Sequence, residues 1–246
     1  NNCSQVDKGF TFDAGNTTST AAITNSTINN FSSFLPSVPL DVIGRVLPGN
    51  TFNGVLAGAT ITVLEGATIT RDATWPGKLG AIPLTYAMLA SMATIQGTDG
   101  GDTVTTLTIQ AGAILNFPSG AFGLDVGNGA AITGALVVTG TAVDRVTMSS
   151  SAGVPVAGDW YGLNLSTTAS ASSNIAYLTV RYAGRSRFAS SNDACVRISS
   201  GGTLDNVIAR DSLFNGFFFS AGSAAMTNAS TQTVVVDGVR VGGGSP

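Results

Sequence analysis

The feature that most constrains this chain is a repeated alternation of apolar and polar residues, which begins at about Val55. The alternating runs are short, and turns rich in glycine, asparagine, aspartate and serine separate them. An alternation with a period of two places apolar side chains on one face of a β-strand, whereas a helix requires a period of 3.6. Most of the chain is therefore predicted to form short strands joined by tight corners. Examples are residues 60–64 (TITVL), 67–70 (ATIT) and 107–117 (LTIQAGAILNF).

The composition supports this prediction because residues that keep helices soluble are scarce. Glu65 is the only glutamate, and Lys8 and Lys78 are the only lysines. Charged residues make up 10% of the chain, compared with about 25% in a typical domain. The net charge of −3 provides no basic field for nucleic acid, and no apolar run approaches the about 18 residues of a membrane span.

The later part of the chain contains a loose internal repeat. Each unit opens with a short strand and continues with a second one, and turns of about 20–40 residues with three strands each favour a parallel β-helix. A β-sandwich is the alternative, because Asn215-Gly216 is a hairpin signal. The segment 82–95 is interpreted as a pair of strands in preference to a helix. The opening strands are expected at 123–126, 162–165, 195–198 and 217–219, the second strands at 135–138, 177–180, 206–209 and 234–236, and further strands at 145–148 and 239–241.

The first 54 residues differ from the rest. Residues 16–33 are rich in asparagine, threonine and serine, and the prolines at positions 36 and 39 exclude a regular helix. We expect an extended β arm or small capping lobe over residues 1–54 and a parallel β-helix over residues 55–246. The arm could exchange with another copy or fold back onto its own chain, and the sequence leaves both arrangements open.

A series of segments between residues 60 and 184 carries a resemblance to a known family: 70–75 (TRDATW), 107–117 (LTIQAGAILNF), 134–142 (GALVVTGTA), 145–150 (RVTMSS), 158–163 (GDWYGL) and 178–184 (LTVRYAG). In order and spacing they resemble the secreted right-handed parallel β-helix proteins of bacteria and archaea, in the pectin-lyase-like superfamily. The resemblance implies an all-β, right-handed β-helix that a prokaryote secretes. It says less about activity, because the superfamily includes lyases, hydrolases, adhesins and structural repeats. Trp160 is expected to be a core or corner aromatic residue rather than a sugar-stacking platform.

Catalytic chemistry is sparsely represented. The chain has no histidine, which removes Ser-His-Asp and Cys-His catalysis and the usual zinc sites. The lyases of this superfamily resemble one another in an acidic calcium cluster with an arginine or lysine base. The residues that could form a carbohydrate site here are expected mainly to be turn aspartates and solvated surface charges: Asp205, Arg210, Asp211, Arg181, Arg185 and Arg187.

A weak calcium site is conceivable at residues 98–102 (TDGGD), where Asp99 and Asp102 flank two glycines. Carboxylate oxygens are ligands that calcium prefers. The segment lacks the repeated nonapeptide spacing of calcium-binding β-helices, so a plain glycine-rich loop is the favoured interpretation. No other cofactor is expected.

The two cysteines, Cys3 and Cys195, are predicted to form a disulfide, because a secreted chain matures in an oxidising compartment. Such a bond closes a loop of about 190 residues and stabilises the fold by roughly 5 kcal/mol in the chain-entropy model. Two unrelated buried thiols, or an intermolecular bond, are the alternatives.

Six sequons permit N-glycosylation without indicating it, because the chain is rich in serine and threonine. The sequence begins at Asn1 rather than at methionine, which is expected of a processed secreted form. The candidate acceptor residues are Asn2, Asn16, Asn25, Asn30, Asn164 and Asn228.

The ends of the predicted β-helix are the most suggestive functional feature. Residues 231–241 are expected to be strand almost throughout, and no amphipathic, charged capping helix is evident at either end. Uncapped ends expose unpaired strands, and head-to-tail contact through them grows a filament. The residues expected to mediate assembly are Val234, Val236, Val239, Val241, Ile23, Ile28 and Phe31.

The expected function is that of a non-catalytic extracellular structural protein, a subunit of a filament, surface layer or adhesive appendage. Its expected partners are copies of itself and cell-surface glycans. The alternative is a polysaccharide lyase or glycan-binding β-helix module, and a third option is a fragment of a larger autotransported or sorted surface protein.

Overall fold

A computed structural model of the chain consists almost entirely of short β-strands, and nearly all of their pairings are parallel. The single antiparallel pairing among the described strands joins Lys78–Leu79 to Ile82–Pro83. The structure describes residues 2–3, 6–8, 24–29, 31–34, 37–40, 42–54, 58, 60–64, 68–89, 92–97, 103–127, 133–188, 190–220 and 224–242.

The N-terminal part contains short strands and one short helix. The helix begins after Val42 and ends before Leu47, and both of those residues are buried. The elements are β1 (Asn2–Cys3), β2 (Val6–Lys8), β3 (Thr27–Asn29), β4 (Phe31–Phe34), β5 (Ser37–Pro39), α1 (Ile43–Val46) and β6 (Thr51–Asn53).

The remaining strands follow one another in coils. A short 3-10 turn at Ser190–Asn192 interrupts them. The strands are β7 (Thr60–Leu64), β8 (Thr68–Ile69), β9 (Ala73–Trp75), β10 (Lys78–Leu79), β11 (Ile82–Pro83), β12 (Thr85–Met88), β13 (Met92–Ile95), β14 (Val104–Gln110), β15 (Ile114–Phe117), β16 (Gly123–Val126), β17 (Thr133–Thr139), β18 (Val146–Ser150), β19 (Gly162–Leu165), β20 (Asn174–Ala176), β21 (Leu178–Arg181), β22 (Ala194–Ile198), β23 (Thr203–Asp205), β24 (Ile208–Ser212), β25 (Asn215–Phe219), β26 (Ala225–Thr227), β27 (Ser230–Val234) and β28 (Val239–Val241).

Three long sheets collect these strands. Sheet I has eight strands in the order β5-β7-β12-β15-β18-β21-β24-β27, sheet II has seven in the order β8-β13-β16-β19-β22-β25-β28, and sheet III has six in the order β9-β14-β17-β20-β23-β26. Each coil thus passes once through each sheet, which is the topology of a parallel β-helix. This confirms the predicted fold and excludes the sandwich.

The core lies between the three sheets, because side chains alternate inward and outward along each strand. Inward residues of successive coils are in register and form apolar ladders. In sheet I the ladder contains Tyr86, Leu115, Met148 and Val180, and all four are fully buried. The matching ladders are Leu124, Leu163, Val196 and Phe217 in sheet II, and Ile109, Val138, Ile175 and Leu204 in sheet III.

Several local predictions are confirmed. The described residues between 82 and 95 form the strands β11, β12 and β13, and Asn215-Gly216 begins β25 rather than a hairpin turn. Trp160 is fully buried, and its ring stacks on Phe117 with centroids 4.2 Å apart. The indole nitrogen donates to the backbone oxygen of Arg181 at 3.0 Å, so Trp160 is a core residue.

The predicted repeat matches the wrong strands with one another. Residues 135–138 lie in sheet III, whereas the supposedly equivalent residues 178–180 and 208–209 lie in sheet I. The cause is that the loops between strands differ in length from coil to coil, so strands at similar spacing do not occupy the same sheet. Equivalent positions become clear only from the pairing register.

Close approach of neighbouring coils explains why residue 134 is a glycine. A Cβ atom at Gly134 would lie 1.9 Å from the backbone oxygen of Ile95, closer than any real contact. Only glycine therefore fits where β17 passes the turn after β13.

The N-terminal segment is joined to the stack by backbone pairing. β5 pairs with β7 as the edge strand of sheet I, β1 pairs with β3, and β3 pairs with β6. β2 pairs with β4. The strands described before residue 54 are thus paired with other strands of the same chain.

Candidate functional site

The last coil exposes two inward positions whose equivalents in the preceding coils are buried, apart from Phe219, which is partly buried. Val239 pairs with Phe217 and Val241 pairs with Phe219, so both valines occupy inward positions of sheet II. Val239 is 50% exposed and Val241 is 73% exposed, whereas Phe217 is fully buried. The mouth of the last described coil is therefore open.

Exposed apolar residues also lie at the corner next to this open mouth. Val235 and Val236 follow β27 and are 68% and 47% exposed. Their backbone nitrogens donate to the carbonyl oxygens of Ser212 and Phe214, which holds the corner against the preceding coil. Val234, by contrast, is half-buried at the end of β27. The predicted assembly residues 234, 236, 239 and 241 thus lie together on the last coil.

Two opposite charges also lie on the last coil. Arg240 and Asp237 form an exposed ion pair, with the guanidinium Nη1 3.4 Å from the carboxylate Oδ2. Their side chains are 40% and 48% exposed. Both groups can therefore reach a neighbouring molecule that docks on this end.

The N-terminal mouth is closed, which corrects the expectation that neither end has a capping helix. Helix α1 packs against β9, the edge strand of sheet III, and buries Ile43 and Val46 completely. In the first full coil, Ile61, Ile69 and Trp75 are also fully buried. The cap was missed because it is one turn long and apolar, not charged.

The other predicted assembly residues lie in the N-terminal segment. Ile28 pairs with Cys3 and Phe52 in the register of β3, and Phe31 pairs with Val6. Ile23 lies outside the described residues. The backbones at Ile28 and Phe31 are thus used within the chain.

A polar network that the sequence reasoning missed covers the outer face of sheet II. Asp125, Asn164 and Arg197 occupy one register column, and Asn164 connects its two neighbours by accepting from Arg197 at 3.2 Å and donating to Asp125 at 3.0 Å. The two guanidinium nitrogens of Arg187 each donate to a different oxygen of Asp125 at 2.8 Å. A signal was present, because the first three opening strands of the repeat carry a polar residue at the same place, whereas the fourth carries Phe218 there.

The loop that contains Arg187 is held down over this network. Oδ1 of Asp193 accepts hydrogen bonds from the backbone nitrogens of Arg187 and Phe188, at 3.0 and 2.9 Å. The guanidinium of Arg197 lies 4.2 Å from the ring centroid of Phe188. The hydrogen bonds to Asp125 raise the pKa of Arg187, whereas burial and the neighbouring charge of Arg187 lower the pKa of Arg197.

The space beneath the loop is small. A cavity of about 10 Å³ lies between Tyr161, Arg187, Asp193 and Arg197, which is enough for about one water molecule. Asp193 Oδ2 and Arg197 Nε are buried without a partner, and a bridging water would satisfy both. The network holds the loop against sheet II and leaves no room for a sugar ring.

Only part of the predicted carbohydrate group comes together, because Arg181 and Arg210 are register partners on sheet I whereas Asp205 is bound elsewhere. Asp205 accepts hydrogen bonds from Thr227, Asn228 and Asn206, and these bonds lower its pKa. Arg210 instead pairs with Asp211 through its Nε at 2.9 Å. The carboxylate of Asp205 therefore serves a corner between sheets III and I rather than the Arg210–Asp211 pair.

The predicted basic patch is also divided. Arg181 projects from sheet I and donates its Nε to Ser149 at 3.0 Å, whereas Arg187 is bound to Asp125 on sheet II. Arg185 is exposed. These side chains lie on different faces of the β-helix and do not form one anion-binding surface.

The predicted bond between the cysteines is not formed. Cys195 is a free, buried thiol whose Sγ lies 3.6 Å from the backbone oxygen of Arg210. Cys195 lies in β22, four strand positions from the start of sheet II, whereas Cys3 lies in β1 before the first full coil. β1 belongs to a sheet separate from sheet II, and the side chain of Cys3 is outside the described part.

The sequons differ in accessibility. Asn25 and Asn228 are exposed, whereas Asn164 is 8% exposed and bound in the network on sheet II, so Asn164 is not available in the folded chain. Asn16 and Asn30 lie outside the described residues, as does the side chain of Asn2.

Among the described residues, no three His, Cys, Asp or Glu side chains lie close enough together to hold a metal ion. Asp99 and Asp102 lie outside the described residues. No described helix is long and apolar enough to cross a bilayer.

Comparison with known protein families, with characterised proteins and with solved structures finds no match to this chain.

Proposed function

We propose that this chain is a non-catalytic extracellular structural protein, a subunit of a cell-surface filament, surface layer or adhesive appendage, and that it self-associates through its last coil. The observation that carries the proposal is the exposure of Val239 and Val241 at inward ladder positions. The low charge and the resemblance to secreted β-helix proteins support the extracellular setting.

Energetics agree with association through this end. Burying one apolar side chain contributes about 1.5–3 kcal/mol, and Val235, Val236, Val239 and Val241 are all substantially exposed. Association costs an estimated 4–15 kcal/mol, so the valines alone offset only part of that cost. Backbone hydrogen bonds to the edge strands β27 and β28 supply the remainder.

The sequence-based expectation of head-to-tail stacking requires an open coil at both ends. Helix α1 covers the N-terminal end. In the folded chain, the open last coil of one molecule therefore cannot stack directly on the first coil of another. The proposal therefore assigns the association to the C-terminal end and leaves the N-terminal cap in place.

Sedimentation velocity over a wide concentration range tests the proposal. The wild-type chain is expected to associate, and a variant with Val239→Asp and Val241→Asp is expected to remain monomeric. The matched control carries Val143→Asp and Val154→Asp, because these valines are 90% and 84% exposed but lie away from the last coil. A wild-type chain that stays monomeric at every concentration contradicts the proposal, and electron microscopy of native material shows the form of the assembly.

A further inference from the structure

The outer face of sheet I carries positive charge that its own carboxylates balance only in part. Arg181 and Arg210 are register partners on β21 and β24, so their backbones lie about 4.8 Å apart. Among the described strands of sheet I, Asp211 is the only acidic residue. Like charges directly opposite each other on neighbouring strands are destabilising. The arginine pair therefore favours a bound anion.

The guanidinium groups of these two arginines are oriented and still have donors to offer. Arg181 donates its Nε to Ser149 Oγ at 3.0 Å, and Arg210 donates its Nε to Asp211 Oδ2 at 2.9 Å. Within the described part of the chain, the terminal nitrogens of both side chains have no hydrogen-bond partner. Paired N–H groups of a guanidinium match the two oxygens of a carboxylate or a sulfate. Two such groups side by side are thus suited to an oxyanion.

A third guanidinium extends this charged face. Arg145 precedes β18 and donates its Nε to Thr179 Oγ1 at 3.0 Å. Its Nη2 donates to the backbone oxygens of Leu178 and Asn206. Thr179 is an outward residue of β21, two positions before Arg181. Three positive charges therefore lie on one face of a chain whose net charge is −3.

A tyrosine ring lies at each edge of the same face. Tyr177 directly precedes β21 and Tyr182 directly follows it, and both residues are half-buried. The ring centroid of Tyr177 is 5.7 Å from the guanidinium carbon of Arg145, and that of Tyr182 is 5.4 Å from the guanidinium carbon of Arg181. Partly exposed aromatic rings offer an apolar surface with a polar tip. Sugar rings stack on such a surface, whereas a simple anion does not require one.

The backbone at both tyrosines favours smaller residues. The φ angle is +52° at Tyr177 and +61° at Tyr182, in the left-handed region that favours glycine, asparagine and aspartate. On the next coil, the equivalent corner positions are occupied by Asn206 and Asp211. The tyrosines thus stand where the backbone prefers other residues, which indicates a role beyond shaping the corner.

We propose that an acidic oligosaccharide binds across this part of sheet I, on the arginine–tyrosine surface formed by Arg145, Tyr177, Thr179, Arg181, Tyr182 and Arg210. The arginines bind the carboxylate or sulfate groups of the ligand, and the tyrosines stack on its sugar rings. No bond of the ligand is broken. This inference goes beyond the proposed function, because it assigns a ligand to the side of the β-helix and not to its open end.

Isothermal titration calorimetry with four probes tests the class of ligand. A uronic-acid oligosaccharide supplies carboxylates, dextran sulfate supplies sulfates, unmodified dextran supplies neither, and polyphosphate supplies charge without sugar rings. We expect the wild-type chain to bind at least one of the two acidic glycans and not to bind dextran. Salt should weaken the binding, because the arginines are partly exposed to solvent. The two acidic probes show whether carboxylate or sulfate is preferred.

Charge removal tests the arginines. Arg181→Gln with Arg210→Gln is expected to weaken binding of the acidic glycan roughly 10- to 100-fold. The matched control, Arg71→Gln with Arg240→Gln, removes the same charge from outside sheet I and should weaken binding by less than about 3-fold. Replacing residues 181 and 210 by lysine keeps the charge but loses the paired donors, so an intermediate loss is expected.

A ring substitution tests the stacking. Tyr182→Asn suits the left-handed backbone and removes the aromatic ring. It is expected to weaken binding of the acidic glycan roughly 3- to 10-fold and to leave binding of polyphosphate unchanged. Circular dichroism verifies that each variant is folded.

The outcomes are distinct. Binding of an acidic glycan that depends on both arginines and on Tyr182 supports the inference. Absence of binding, equal binding of dextran, an equal loss in the charge control, or an unchanged affinity of Tyr182→Asn overturns it. The chain with Val239→Asp and Val241→Asp should bind the acidic glycan as wild type does. Failure of glycan binding and failure of self-association are therefore measured independently.

Discussion

At the residue scale, Cys195 illustrates how burial controls chemistry in this fold. Its thiol is fully buried on β22, and burial raises its pKa from 9.0 to about 11. A thiolate is the reactive form of cysteine, so Cys195 is expected to be inert in the folded chain. The residue therefore fills the core as a small apolar side chain.

The raised pKa predicts a loss of stability at alkaline pH. The folded chain holds the thiol proton more tightly than the unfolded chain. The contribution of this thiol to the free energy of unfolding is therefore complete below about pH 8.5 and is lost as the pH rises to about 11. Across that interval, the free energy of unfolding of the wild type should fall by about 2–3 kcal/mol more than that of Cys195→Ala. Urea unfolding of both chains at several pH values measures the difference. Parallel pH profiles would contradict the prediction.

At the element scale, the side chain of Arg187 links the loop between β21 and β22 to sheet II. Arg187 binds both oxygens of Asp125, whose side chain is 3% exposed. Without the guanidinium, the buried carboxylate keeps the hydrogen bond from Asn164 but loses its ion-pair partner, and unpaired buried charges are strongly destabilising. Arg187 thus links the loop, sheet II and the column formed by Asp125, Asn164 and Arg197.

We expect Arg187→Met to lower the free energy of unfolding by about 2–4 kcal/mol, since the guanidinium is itself partly exposed. Arg185→Met, in the same loop but exposed, should change it by less than about 0.5 kcal/mol. Adding Asp125→Asn to the Arg187→Met chain should recover part of the loss by removing the unpaired charge. Equal effects of the two arginine substitutions in chemical denaturation would show that the Arg187–Asp125 pair does not contribute to the free energy of unfolding.

At the scale of the whole molecule, packing is uneven from one end of the stack to the other. The apolar ladder residues are buried from β7 as far as Phe217 in β25, whereas the last coil exposes Val239 and Val241. Stability against local opening follows buried apolar contact. The last coil should therefore open more readily than the coils in the middle.

Amide hydrogen exchange should reveal this gradient. In dilute solution, amides of β27 and β28 are expected to exchange faster than those of β16 and β19. Raising the protein concentration should slow exchange in β27 and β28 selectively, because association stabilises only the species that it binds. Protection that is uniform along the stack, or independent of concentration in the last coil, would argue against an open and associating end.

The sequence by itself determined the architecture, because an alternation of apolar and polar residues acts locally. Each strand must turn its apolar face inward, as residues 107–110 do. It also located the valines of the last coil. Only the tertiary structure decided the phase of the repeat, the one-turn cap at α1, the separation of Asp205 from Arg210 and the column formed by Asp125, Asn164 and Arg197. These features depend on which residues from different coils lie side by side. That register is determined by loop lengths and close packing between distant segments, and a local pattern does not encode it.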